Sequence, residues 1–118
     1  MTDKYTALLG KLKEAAGPFE WDKAPKIARS LYLMGDRRYV LLATALRADI
    51  AAIGAALELV EMTLPGWRVV LEIDPNSAQL ARLLPLGSYE WNTWHGAKTL
   101  ALAILIAWCE AMIEKERA

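Results

Sequence analysis

Apolar residues recur along this chain with two different periods, and the switch between them places the elements. Tyr5, Leu8, Leu9 and Leu12 fall at helical spacing. They predict a first helix, capped by Thr2 or Asp3 and running to about Ala16, where Gly17-Pro18 ends it. Ala24, Ile27, Ala28 and Leu31 predict a shorter helix from an Asp22 cap to about Leu33, with Pro25 tolerated in its first turn. Met34 to Arg38 reads as a polar turn. From Tyr39 to Leu64 the chain is almost continuously helix-compatible. One helix of that length would be about twice the usual 11–12 residues, so a break is expected, with Thr44 and Asp49 as candidate caps. Gly54 inside this pattern costs about 1 kcal/mol relative to Ala, a sign that another backbone packs closely there.

The period changes at Leu64-Pro65-Gly66-Trp67. Pro cannot continue a helix and Gly favours the residue just past a helix end, so the chain stops and turns. Trp67, Val69, Leu71 and Ile73 then alternate, which predicts a strand. Asp74-Pro75-Asn76-Ser77 are turn formers, and residues 79–84 read as the return strand of a hairpin. Pro85-Leu86-Gly87 breaks that strand, and 88–95 is either a short edge strand or a loop. A last helix is predicted from about Ala97 to Glu116. It is apolar all round from Leu100 to Cys109, so it is expected to be buried on more than one side, by the sheet, the middle helix or another subunit. The fold class is therefore α+β: helices packed on a small antiparallel sheet of two or three strands, in one domain, with a largely buried C-terminal helix.

Composition narrows the function more than the fold. The chain has 118 residues, enough for a core without disulfides or metals. Formal net charge is zero, which disfavours a general nucleic-acid binder and a whole-molecule DNA mimic alike. The charge is uneven, however. Residues 1–47 hold nine Lys or Arg against five Asp or Glu, and residues 48–118 hold five against nine. Such poles can steer a partner, although a solvated helix face explains them as well. Cys109 is the single cysteine, so no internal disulfide can form, and in an apolar run it reads as a small buried hydrophobe. Neither a signal peptide nor the roughly 20-residue apolar span of a membrane helix is evident, so a cytoplasmic protein is expected.

Candidate chemistry is sparse. His95 is the sole histidine, with Glu90 the nearest carboxylate and Ser88, Asn92 and Thr93 nearby. The plainer reading makes Asn92 or Thr93 a cap for the last helix and leaves His95 in a loop. Glu58 and Glu61 lie one helical turn apart without a histidine beside them, as on a solvated face. Ser30, Ser77 and Ser88 lack the flanking glycines or lysine of a serine nucleophile. Five tryptophans exceed ordinary usage. Trp67 and Trp108 suit the core, whereas Tyr89, Trp91 and Trp94 lie on a breaker-rich stretch suited to contact with a protein or a base. The basic stripe Lys23, Lys26 and Arg29, and the pair Arg37-Arg38, are candidates for holding a phosphate.

Three stretches together resemble the bacteriophage and prophage proteins grouped as the phage ABA (alpha-beta-alpha) sandwich domain. Leu8-Leu9-Gly10-Lys11-Leu12-Lys13-Glu14-Ala15-Ala16-Gly17-Pro18, followed by Asp22 and Ile27-Ala28, is similar to the family's opening helix, Gly-Pro break and second helix. Ala55-Ala56-Leu57-Glu58-Leu59-Val60 and Leu64-Pro65-Gly66-Trp67-Arg68 resemble its middle helix and strand entry. Ala97-Lys98-Thr99-Leu100-Ala101-Leu102-Ala103 is similar to the opening of its final helix. The chain departs from the family at Ile50, Ala52 and Gly54, where Thr, Ser and Asp usually start the middle helix, so that helix is expected to begin further upstream. The resemblance implies a fold and a phage context, and carries over no catalytic residue.

These readings point to a non-enzymatic phage or prophage accessory protein without cofactor or metal. It would act by protein contact as a homo-oligomer or on a host protein, in one version as an inhibitor of a bacterial defence system. The competing expectation is a small-ligand module. There Trp91, Trp94 and His95 would line a pocket for a nucleotide, with Lys23, Lys26, Arg29 or Arg37-Arg38 supplying charge.

Overall fold

The C-terminal helix is the element around which the others assemble. A computed structural model describes residues 3–15, 36–46, 50–72, 79–85, 95–97 and 99–117. In chain order the elements are α1 (Asp3–Ala15), α2 (Asp36–Ala45), α3 (Ile50–Thr63), β1 (Arg68–Glu72), β2 (Gln79–Leu84), β3 (His95–Ala97) and α4 (Leu100–Arg117). Helix α4 packs against α1, α2 and α3 and also against β2 and β3. Every residue from Leu100 to Cys109 is buried as a result, as is the run Ala111 to Ile113. Its apolar surface is thus covered by both the sheet and the other helices of its own chain. The architecture is the expected α+β one.

Each flanking helix offers α4 one apolar face. Tyr5, Leu8, Leu9 and Leu12 of α1 are buried, while Thr6, Lys11, Lys13 and Glu14 are exposed. Helix α3 buries Ala52, Ala55, Ala56, Leu59 and Val60 and exposes Gly54, Glu58 and Glu61. The alanines let the inner face of α3 approach its neighbours closely. Helix α2 buries Leu41, Leu42 and Ala45.

The helix that precedes the sheet ends as the Pro-Gly signal requires. Leu46 and Leu64 each extend the hydrogen bonding of the helix before them, to the carbonyls of Leu42 (3.0 Å) and Val60 (2.7 Å). The Trp67 N–H then donates to the Leu64 carbonyl at 3.1 Å, and Gly66 has φ of 86°. Proline in the second place, a left-handed glycine in the third and that closing bond are the marks of a type II turn. The turn delivers the chain into β1, which pairs antiparallel with β2, and β2 pairs antiparallel with β3. The strand order is β1-β2-β3. Val69 lies opposite Leu83 and Leu71 opposite Ala81. Leu83 and Ala81 are fully buried, and Trp67 and Val69 pack against the core, so this is the sheet face turned toward α4.

Several boundaries differ from the sequence expectation. Asp36, Arg37 and Arg38 form the first turn of α2 and not a polar turn, in keeping with an acidic residue at a helix start, where the macrodipole favours it. Thr44 caps nothing: its hydroxyl donates to the Val40 carbonyl at 2.9 Å, one turn back in the same helix. Helix α2 ends at Ala45, with a turn at Leu46, so the expected break is present, and α3 is described from Ile50; the candidate cap Asp49 lies outside the described residues. Strand β1 spans Arg68–Glu72, starting one residue later than expected; Ile73 lies outside the described residues. Ala97 belongs to β3, not to the last helix. The cap of that helix is Thr99 and neither Asn92 nor Thr93, since the Leu102 N–H donates to the Thr99 hydroxyl at 3.1 Å. The helix expected over 22–33 lies outside the described residues.

Gly54 also departs from expectation. It is exposed, and a β-carbon built there meets nothing within 4 Å among the described residues, so no described backbone packs against it. Its helical cost is uncompensated among the described residues. Gly54→Ala is therefore expected to stabilise the fold by about 1 kcal/mol, seen as a rise in the urea midpoint at unchanged slope. A loss of stability would mean that something covers this face.

Candidate functional site

Of the candidate binding residues read from sequence, Arg37 and Arg38 are the ones whose side chains are described. Tyr89, Trp91, Trp94, Lys23, Lys26 and Arg29 lie outside the described residues. His95 is placed by its backbone as the first residue of β3, opposite Ala81 in β2. Helix α2, which carries the arginines, packs on α3 and α4, and β3 packs on β2 and α4. The basic pair and the histidine thus belong to different neighbourhoods that share α4.

The arginine expected to hold a phosphate is already engaged. The Arg37 guanidinium donates to the Glu58 carboxylate, joining the outer faces of α2 and α3. An anion at this place would have to displace that carboxylate. Among the described residues, the surface depression beside it is lined by Glu58, Glu61 and Met62, two of them carboxylates that repel phosphate. Lys13 and Glu110 approach to 3.8 Å across α1 and α4, both well exposed. Exposed pairs of this kind contribute little stability. They do show that two cations of the basic N-terminal part face carboxylates of the acidic C-terminal part inside one molecule.

The polar group that sequence reasoning missed is buried. Thr63, the last residue of α3, is 5% exposed, and its hydroxyl donates to the Leu59 carbonyl at 2.7 Å. The same oxygen accepts a hydrogen bond from the Trp108 indole nitrogen at 2.7 Å. Trp108 is fully buried and meets Tyr5 of α1 edge to face, with ring centroids 5.7 Å apart and planes at 84°. Lys115, about two turns further along α4, donates to the Thr63 carbonyl at 3.0 Å. A carbonyl at a helix end lacks an intrahelical partner, and a cation there also meets the negative pole of the dipole. The arrangement locks α1, α3 and α4 together. A threonine immediately before a Leu-Pro-Gly stop was the available signal, but its partners are 45 and 52 residues away.

Cys109 is buried, and burial pushes its thiol well above its ordinary pKa, with the neighbouring Glu110 carboxylate acting in the same direction. The reactive thiolate is thereby suppressed. Native protein at pH 8 is expected to resist a thiol reagent for as long as it stays folded, with labelling that tracks global unfolding. Rapid labelling without unfolding would show a local opening of α4.

Among the described residues no group of three or more His, Cys, Asp or Glu is placed to hold a metal ion. Among them, too, no helix is long and apolar enough to cross a membrane. Large apolar side chains remain exposed at Val40, Ile53, Leu57, Met62 and Leu71. No protein-family model, curated protein or solved structure matches the chain. The likeness to the phage sandwich family therefore rests on the three residue patterns alone.

Proposed function

We propose that this chain is a non-enzymatic accessory protein of a phage or prophage that acts in the bacterial cytoplasm through protein–protein contact, as a homo-oligomer. Its most specific form is occlusion of a host defence enzyme, a version that rests on the family likeness alone. The observation that carries the contact reading is the end of the sheet. Strand β1 pairs with β2 on one side, and among the described residues no strand lies on the other. An open strand edge is a template for another chain. Three described polar contacts, Lys13 with Glu110, Arg37 with Glu58 and Trp108 with Thr63, add support, since they join side chains in separate places instead of converging on a common point as catalysis requires.

The small-ligand alternative draws no support from the described residues, because Arg37 faces Glu58 and the adjoining depression is acidic. The contact reading is tested by affinity capture from a bacterial lysate together with light scattering of the purified chain. A stoichiometric protein partner or a defined oligomer is expected. A strict monomer that captures nothing overturns the reading.

A further inference from the structure

Strand β1 reads Arg68-Val69-Val70-Leu71-Glu72, a base at one end, an acid at the other and three aliphatic residues between. Within the strand, side chains alternate between the two faces of the sheet. Val69 and Leu71 share the face of Leu83 and Ala81, and Arg68, Val70 and Glu72 share the opposite face. Arg68 and Glu72 are exposed, and Leu71 remains 36% exposed although it lies on the core-side face. Edge strands are usually guarded by lysines, prolines or charges that repel a second chain. Here the two end charges have opposite signs, and that changes what the edge rejects.

The geometry points to β1 as a self-pairing edge: two copies join β1 to β1, antiparallel, about a twofold axis at Val70, doubling the three-stranded sheet. The inference rests on the protein-contact reading above and names its partner as a second copy of this chain. In that register Arg68 lies opposite the partner's Glu72, and Glu72 lies opposite the partner's Arg68. Both ion pairs fall on the outer face, flanking a contact between Val70 and the partner's Val70. On the core-side face Val69 lies opposite the partner's Leu71, which covers the exposed leucine. Opposed apolar and opposite-charge pairs are the units that stabilise a sheet. A parallel arrangement in register would set like charges against each other. Within the described strand, a shift by one residue would separate both ion pairs and exchange the faces. A twofold axis makes the interface the same patch on both copies, and this strand is self-complementary in that sense. Arg68 also has an interaction within its own chain, beside which the ion pair with the partner's Glu72 would form. At the other end of the described sheet, β3 offers three described residues, a shorter template than β1.

The test is sedimentation of the full chain over a range of concentrations. The wild-type chain should form a dimer. Arg68→Glu and Glu72→Arg should each weaken it by about tenfold or more, because each places like charges opposite each other at both ends of the interface. Mixing the two single variants should restore dimers between them, and so should the double variant R68E/E72R. Circular dichroism melts follow folding of each variant. Leu71→Lys, at an exposed position, provides a second route, since it sets a cation opposite the partner's Val69 and should leave monomer. A wild-type chain that stays monomeric overturns the self-pairing, while the capture of a host protein would still uphold the contact reading. A dimer that none of these substitutions disturbs, or single variants that do not restore each other, places the interface elsewhere and overturns the edge assignment alone.

Discussion

Trp108→Ala is expected to lower stability by about 3–5 kcal/mol, a large part of the 5–15 kcal/mol typical of a domain this size. Trp108 is fully buried in the middle of α4 and touches the ring of Tyr5 edge to face. Alanine would leave a cavity between α1 and α4, lose the ring–ring contact and strip the Thr63 hydroxyl of its donor. In a melt the change should read as a fall of roughly 12–20 °C in Tm. Denaturant curves followed by circular dichroism measure it directly. A loss under 1 kcal/mol would mean that the ring is less enclosed than the packing of α4 indicates.

Thr63→Val should cost about 1–3 kcal/mol despite near-identical shape. Valine keeps the branched β-carbon but cannot accept the indole hydrogen, so the Trp108 N–H is left buried without a partner. The Leu59 carbonyl loses only an additional hydroxyl bond, since it remains within a helix. The backbone carbonyl that Lys115 reaches is unchanged by this substitution. That separation allows a clean test through Trp108→Phe, which removes the N–H. In the Phe background Thr63→Val should become nearly neutral, giving a coupling of about 0.5–3 kcal/mol in the double-mutant cycle. Equal costs in both backgrounds would show that shape, not the hydrogen bond, makes Thr63 necessary.

Much of this fold is legible in the order of residues because the signals are local. The Tyr5, Leu8, Leu9, Leu12 face, the Pro65-Gly66 stop and the β2 limits at Gln79 and Leu84 each depend on neighbours a few positions away. The unbroken apolar run from Leu100 to Cys109 announced a helix covered on several sides, and so it is. Legibility fades where two local choices are close in energy. Asp36 to Arg38 suit a turn or a helix start, and Ala97 suits a helix or a strand end. In each case packing and capping decide: α2 lies against α3 and α4, and Thr99 supplies the cap two residues later. The candidate site was less legible than the fold. Two adjacent arginines signal positive charge, but only the placement of α2 against α3 brings Glu58 to Arg37 and cancels part of it.

By itself the sequence determined the α+β class, the Pro-Gly switch from helix to sheet and the candidacy of Trp108 for the core, because periodicity and chain stiffness act over a turn or two. The tertiary structure alone decided which groups meet. Thr63 joins Trp108 and Lys115 from 45 and 52 residues away, and among the described strands β1 lies at one end of the sheet. Pairing across such separations follows from how apolar faces stack around α4, and no local pattern encodes the distance between two side chains that packing brings together.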